Sequence, residues 1–399
     1  MSRFVSAHAR YHTQLEALAG SDVVLSAIEA AGERWGWDGR MTWRRLHERF
    51  NPDAEPYATC VLASTDPPQR IVQLDAFRDA PPEPVHGACA VEARDAGRLL
   101  VTRFPADAGL TTLPRVLMAA AEWTVVRYHP GRRCTVRVDG NGRTRFAKVY
   151  AGGVVARIHA DGMELWRAAQ RGELGFRVAK PEWFDAALRV VWQEGVAGEP
   201  LTSRLSGCAG EELARRLGRA AGSLSQSDIS PRRCRDRQGE LARSTVRCAE
   251  LERRVPPLGE PASRLLRKID AAYASFDESE LRPVHGALHT SQWLERSNSL
   301  ALLDYDSLAL GDPELDAATF LADVDVQNRK RVPVDRLNEA FLLGFELTAG
   351  VLDRRRLAVY RAQRRLEKAL RVARAIRPDG DEKAGRRLRR ALEALDEAA

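Results

Sequence analysis

Apolar residues at spacings of three and four run through LEALAG and DVVLSAIEAAGERW, and the reading carried on over MTWRRLHERF predicts helix across residues 1 to 50. The period changes after NPDAEP. From Tyr57 to Phe104, short runs rich in Val, Thr and Leu (YATCVLAST, RIVQLDAF, ACAVEAR, GRLLVTRF) are broken by Pro and Gly, which predicts a small β-rich region. Between Thr124 and Ala151 alternating segments flank Asp139-Gly140-Asn141-Gly142, a hairpin-turn signal, so two antiparallel strands are expected to end in FAKVY.

An amphipathic helix is predicted around residues 155 to 171 and a further strand at LRVVWQEGVAGEPL. Beyond Leu201 the pattern predicts helices at 209–225, 239–253, 260–275, 312–325, 333–349, 353–375 and 383–397, with SQSDISPRRCRDRQGE read as an exposed loop. Strands first and helices afterwards describe an α+β chain with a β-rich lobe and a helical lobe, not an alternating parallel sheet.

The 399 residues, 44% of them hydrophobic, suffice for a large core, and at roughly 150 residues per domain they suggest two or three packed units. The amino terminus has no continuous apolar run, and no stretch reaches the roughly 20 apolar residues of a membrane helix. The expectation is a cytoplasmic protein without a membrane partner. Cys60, Cys89, Cys134, Cys208, Cys234 and Cys248 form no CxxC pair and have no histidine at a zinc spacing, so reduced thiols are expected. The net charge of +7 is carried mainly by arginine, with lysine only at Lys148, Lys180, Lys268, Lys330, Lys368 and Lys383. Asp353 to Arg390 holds thirteen arginines and two lysines, but interleaved Leu, Val and Ala at helical spacing favour a packed amphipathic pair over a nucleic-acid surface.

Candidate chemistry concentrates between Val284 and Asp325, in VHGALHTSQWLERSNSLALLDYDSLALGDPELDAATFLADVD. An HG turn and a polar loop lead into SLALLDYD, whose alternation buries Leu302 and leaves Asp304 and Asp306 at a strand end. Paired carboxylates there suit a divalent cation, since Mg²⁺ takes carboxylate and phosphate oxygens. GDPELD then starts a helix, with Asp312 near its positive end and Pro313 in its first turn.

This stretch resembles the catalytic segment of the aminoglycoside phosphotransferase and choline kinase superfamily, whose pattern runs HGDxHxxN, an apolar strand ending in Asp, then GDPxxDxA. The matching elements are His285-Gly286-Ala287-Leu288-His289-Thr290-Ser291-Gln292, Leu302-Leu303-Asp304-Tyr305-Asp306 and Gly311-Asp312-Pro313-Glu314-Leu315-Asp316-Ala317. Upstream, RFPADAGLTTL and RYHPGRRCTVRV resemble segments of an uncharacterised bacterial branch. The resemblance implies a bilobal protein-kinase-like fold: an amino-terminal extension over residues 1–120, a kinase-like N-lobe and hinge over 121–200, and a helical C-lobe over 201–399.

It also implies ATP and Mg²⁺ as cofactors, with a small-molecule hydroxyl compound as acceptor. Lys148 matches the lysine that grips the nucleotide phosphates, and Glu164 is the candidate for its helix partner. Gln193, Glu194 and Val196 lie in the segment that resembles the hinge, where backbone groups meet adenine. Asp304 matches the metal-holding carboxylate and Gln292 the second metal ligand. The turn RYHPGRRC has no GxGxxG cradle, leaving Arg132 and Arg133 as phosphate contacts or as solvated residues. His285 reads as a structural turn residue, and Asp312 and Asp316 as caps and loop anchors.

Two positions depart from the pattern: Gln292 carries the amide of the family's asparagine on a longer stem, and Ala287 lacks a carboxylate. Ala287 stands where the family has the aspartate that accepts the acceptor's proton, and a methyl group cannot do so. Asp306 and His289 are the groups nearby in sequence that could approach the acceptor. Two functions follow: an ATP-dependent phosphotransferase acting on a sugar, aminoglycoside-like or amino-alcohol hydroxyl, or a pseudokinase that binds nucleotide or a partner as a regulator.

Overall fold

The computed structural model describes residues 6–37, 41–84, 87–93, 95–120, 122–140, 142–206, 209–327 and 334–396. Asn141 of the expected hairpin turn, Cys208, Lys330 and the first residue of the helix expected at 333 lie outside the described residues.

Three short helices open the chain: α1 (Ala7–Arg10), α2 (His12–Ala19) and α3 (Ser21–Arg34). MTWRRLHERF does not continue them. It forms strand β1 (Trp43–Phe50), antiparallel to β2 (Ala58–Ser64), so Trp43 faces Ser64 and Phe50 faces Ala58. Few residues of β1 are buried, so its side chains hold little local preference and backbone pairing with β2 decides its form. The arginines of β1 suit a sheet edge, where charge discourages pairing with another chain. β3 (Ile71–Phe77), β4 (Ala88–Ala93) and β5 (Gly97–Arg103) complete a five-stranded sheet of order β1-β2-β3-β5-β4.

A linker with the short helix α4 (Leu113–Met118) leads to the second sheet. The segment expected as two strands is a three-stranded meander of β6 (Glu122–His129), β7 (Arg133–Gly140) and β8 (Arg143–Tyr150). After α5 (Val155–Gln170) and β9 (Arg177–Val178), strands β10 (Pro181–Asp185) and β11 (Val190–Glu194) extend it in the order β10-β11-β8-β7-β6. The two sheets share a core in which Val61, Ala63 and Ile71 of the first meet Val125, Tyr128, Val136, Ala147 and Val149 of the second. Period-two alternation on β8 therefore turns Ala147 and Val149 toward the first sheet and Lys148 and Tyr150 to the other side.

The remaining chain is largely helical. α6 (Leu201–Arg204), α7 (Gly210–Ser225), α8 (Arg237–Arg254), α9 (Gly259–Ala274), α10 (Glu314–Gln327), α11 (Val334–Ala349), α12 (Arg354–Ala373) and α13 (Gly380–Asp396) enclose the largest core. The hairpin of β15 (Trp293–Arg296) and β16 (Ser299–Leu302) is flanked by β12 (Glu199–Pro200) and β9. A small sheet joins β13 (Cys234–Arg235), β17 (Ala309–Gly311) and β14 (Arg282–Val284). Among the described residues, no helix is long and apolar enough to cross a membrane.

The first sheet also reaches the helical lobe. Phe50 N donates to Arg374 O at 2.6 Å, Arg254 donates to Phe50 O at 2.6 Å and Asn51 Oδ1 at 3.1 Å, and Ile376 enters the core beneath α1–α3. The amino-terminal unit thus braces both lobes. Several arginines of α12 are consumed by internal pairs: Arg364 by Glu240, and Arg361 and Arg365 by Asp325.

Candidate active site

Lys148 and Tyr150 face the cleft from β8, and register places Arg133 of β7 opposite Tyr150 on the same face. From the helical lobe, Asp304 and Asp306 rise just beyond β16. Lys148 Nζ donates to Asp304 Oδ1 at 3.0 Å and to Asp306 Oδ1 at 3.3 Å. Asp306 Oδ2 accepts from Tyr150 OH at 2.6 Å and from Arg133 at 3.0 Å. Between the two carboxylates the chain turns Tyr305 the other way, fully buried against Gly162 of α5, where an added Cβ would lie 2.3 Å from the ring.

The electrostatics follow from this packing. Burial works against the Lys148 ammonium, but Asp304 and Asp306 outweigh it and hold its pKa above the ordinary value. Burial would raise Asp304, yet Lys148 and a hydrogen bond within the pair bring it well below the usual carboxylate range. Asp306 is pushed up by burial and by the Asp304 charge. One anion of the pair is therefore firmly ionised.

The turn carrying Ala287 is welded to this loop. Gly286 has φ +75°, and a Cβ there would stand 2.5 Å from Ser307 O, so only glycine fits both the backbone and the approach. Asp316 accepts from His285 N at 2.6 Å and Gly286 N at 2.9 Å, and Arg235 donates to Gly286 O. Buried His285 bonds through Nε2 to Asp304 O, and its Nδ1 accepts from Ala287 N at 3.3 Å. Burial lowers its pKa, so it holds the loop as a neutral ring. Asp312 accepts from Tyr360 OH at 2.6 Å and from Ser279.

Other sequence candidates go elsewhere. Glu164 does not meet Lys148: it lies 3.5 Å from Arg232, because the inward face of α5 is occupied by Gly162 and by Asp161, which holds Arg157 at 3.1 Å and Arg232 at 3.0 Å. Lys148 takes Asp304 and Asp306 instead. His289 turns toward Asp323, at 3.5 Å, inside the helical lobe. The Gln292 amide oxygen accepts from His289 N at 3.1 Å and caps the short helical turn Thr290–Gln292. The Asp306 carboxylate is already engaged by three donors from the second sheet, and Arg132 is exposed at the turn while Arg133 reaches in.

In the segment expected as the hinge, Gln193 Nε2 donates to Leu303 O at 3.2 Å, while its buried Oε1 has no donor among the described residues. Glu194 pairs with Lys180 through Lys180 N to Oε1 at 3.0 Å, and Val196 is half-buried. The segment expected as an exposed loop is not spare: Arg232 fixes Asp161, Arg233 reaches Asp306 O at 3.4 Å, and Arg235 is buried on Glu240. Sequence reading passed over these three arginines, and over Asp107, whose carboxylate takes Gly131 N and Tyr128 OH; the only signal was an unusual density of arginine between two helices. Buried carboxylates beside a lysine are donor chemistry that would suit Mg²⁺ shared with substrate phosphates, and Asp304 offers such an oxygen, whereas the Gln292 amide oxygen is the one that accepts from His289 N.

A β-rich lobe and a helical lobe, meeting at a lysine on one side and an HG turn with a DYD loop on the other, define a kinase-like fold. Residues 127–360 match the phosphotransferase enzyme family, and the chain belongs to it. Choline kinase LicA from Streptococcus pneumoniae is similar in structure, with 12% identity and a TM-score of 0.52 over 71% of this chain and 99% of that one. A choline/ethanolamine kinase family protein from Mesorhizobium loti is also similar, with 15% identity and a TM-score of 0.51 over 72% of this chain and 95% of that one. Comparison with curated proteins finds no match.

Proposed function

We propose that this chain binds a magnesium nucleoside triphosphate between its lobes and transfers the terminal phosphoryl group, slowly, to a hydroxyl of a small molecule. The observation that carries this reading is the meeting of Lys148 with Asp304 across the cleft at 3.0 Å, beside an Ala287 turn held to the same loop. Lys148 and Arg133 are the cations for the phosphates. Asp304 and Gln292 would hold the metal, which neutralises charge on the transferring group when bound. The hinge from Gln193 to Val196, with an unmet buried acceptor at Gln193 Oε1, is the place for the base.

With a methyl group at 287, the acceptor hydroxyl has no carboxylate there to take its proton, and the loss of such a base typically costs about 10²- to 10⁴-fold in rate. The same residue favours a second reading, a pseudokinase that uses bound nucleotide for regulation. Thermal stabilisation by Mg-ATP together with ATP turnover, in the native chain and in Ala287→Asp, decides between them. Slow native turnover that rises in the variant supports transfer. Binding with no native turnover supports the regulator, and an absence of stabilisation in both chains defeats both readings.

A further inference from the structure

The donors around Asp306 fall into two groups. Lys148, Arg133 and Tyr150 meet its carboxylate, whereas Arg157 and Arg233 each reach only its carbonyl oxygen, both at 3.4 Å. That oxygen is a weak partner for two guanidiniums, and both contacts are long. Their carboxylate partners are also shared with other arginines or lacking. Arg157 shares Asp161 with Arg232, neighbouring Arg243 shares Glu240 with Arg235 and Arg364, and Arg233 forms no ion pair among the described residues. Partial burial first, then the charges of Arg157 and Arg243, pull the Arg233 pKa below its ordinary value, against the opposing pull of Asp161 and Asp306.

This cationic pair lies along the Ala287 turn. Ser307, the residue after Asp306, puts its carbonyl against Gly286, and Arg235, two residues after Arg233, donates to Gly286 O. The Arg233 side chain is exposed, so a solute can reach it. Two guanidiniums within bonding range of one oxygen are spaced for a single oxyanion group.

We propose that Arg157 and Arg233 form an anion subsite on the acceptor side of the cleft, which selects an acceptor bearing a phosphate or carboxylate group. This rests on the nucleotide-binding reading above and narrows its acceptor from hydroxyl compounds in general to anionic ones. A polycationic acceptor would meet repulsion at the same place.

The test is calorimetric titration with inorganic phosphate of the native chain and of Arg233→Ala, each with and without saturating Mg-ADP. The expected result is phosphate binding that persists in the Mg-ADP complex and weakens about tenfold or more in Arg233→Ala, the loss of one charge-assisted contact, with Mg-ADP affinity within about twofold of native. Phosphate binding that disappears once Mg-ADP is present assigns the anion to the nucleotide's own phosphates and overturns the subsite. No phosphate binding, or binding indifferent to Arg233, overturns it equally. If Mg-ADP fails to bind while phosphate binds through Arg233, the nucleotide reading falls and the anion subsite stands.

Discussion

Asp107 accepts a hydrogen bond from Gly131 N at 2.8 Å, so the turn between β6 and β7 is held by the segment connecting the two sheets. The same carboxylate accepts from Tyr128 OH at 2.7 Å and from Gly109 N at 2.7 Å. A turn that lacks a glycine-rich sequence is here positioned from outside, which leaves Arg133 extended toward Asp306. Asp107→Ala strands these donors, and each unsatisfied group costs about 1–3 kcal/mol. The expected outcome is lower stability in urea unfolding and faster amide exchange at residues 130–133. Native exchange rates in the variant would refute the anchoring role.

Tyr305 and Gly162 give a pair of opposite predictions. The Tyr305 hydroxyl is buried without a hydrogen-bond partner among the described residues, so Tyr305→Phe removes an uncompensated polar group and should raise stability by about 1 kcal/mol. Gly162→Ala drives a methyl group into the same ring and against Pro181, and such overpacking costs about 1–3 kcal/mol. Thermal unfolding of the two variants reads both signs. Because the ring fixes the loop between Asp304 and Asp306, Gly162→Ala should also weaken Mg-ADP binding.

The first and second sheets meet at a pair of imidazoles, His47 Nδ1 and His129 Nδ1, 3.2 Å apart. Arg127 donates to His129 Nε2 at 2.9 Å, which leaves its proton on Nδ1 for His47 to accept. Burial, followed by neighbouring arginines, lowers His47 to about 4 and His129 to about 3 from an ordinary 6.5. Below pH 6.5 the unfolded chain takes up protons that the native pair refuses, so stability is full above that pH and declines as pH falls toward 4 and 3. His47→Asn keeps an acceptor but removes one titrating group. The slope of Tm against pH between 6.5 and 4.5 should flatten in that variant, and an unchanged slope would sink the account.

Arg254, almost fully buried, ties the amino-terminal unit to the helical lobe through Phe50 O, Asn51 and Glu250. Burial raises Glu250, but Arg374 and Arg254 outweigh it and hold its pKa at about 2. Breaking a buried pair of this kind costs about 3–5 kcal/mol. Arg254→Met should therefore lower stability and open residues 41–60 to limited proteolysis before the helical lobe is cut. Equal protease resistance in the variant and the native chain would show that the brace rests on the apolar core alone.

The sequence by itself determined the parts whose chemistry is contiguous. HGALHTSQ, LLDYD and GDPELD each hold their meaning within a few residues, the DGNG turn signal marked the hairpin that ends in FAKVY, and apolar periodicity placed seven helices of the helical lobe. Only the tertiary structure decided which charges meet. Lys148 and Asp304 are 156 positions apart, and Arg232 reaches Asp161 across 71. No local pattern records such pairs, because a side chain's partner depends on how two elements dock. Glu164 is the instructive miss: as a glutamate on the helix after β8 it suited the pair the resemblance implies, but Gly162 and Asp161 took the inward face of α5. β1 misled in the same way, since a strand with few buried side chains shows its period only once its backbone has found a neighbour.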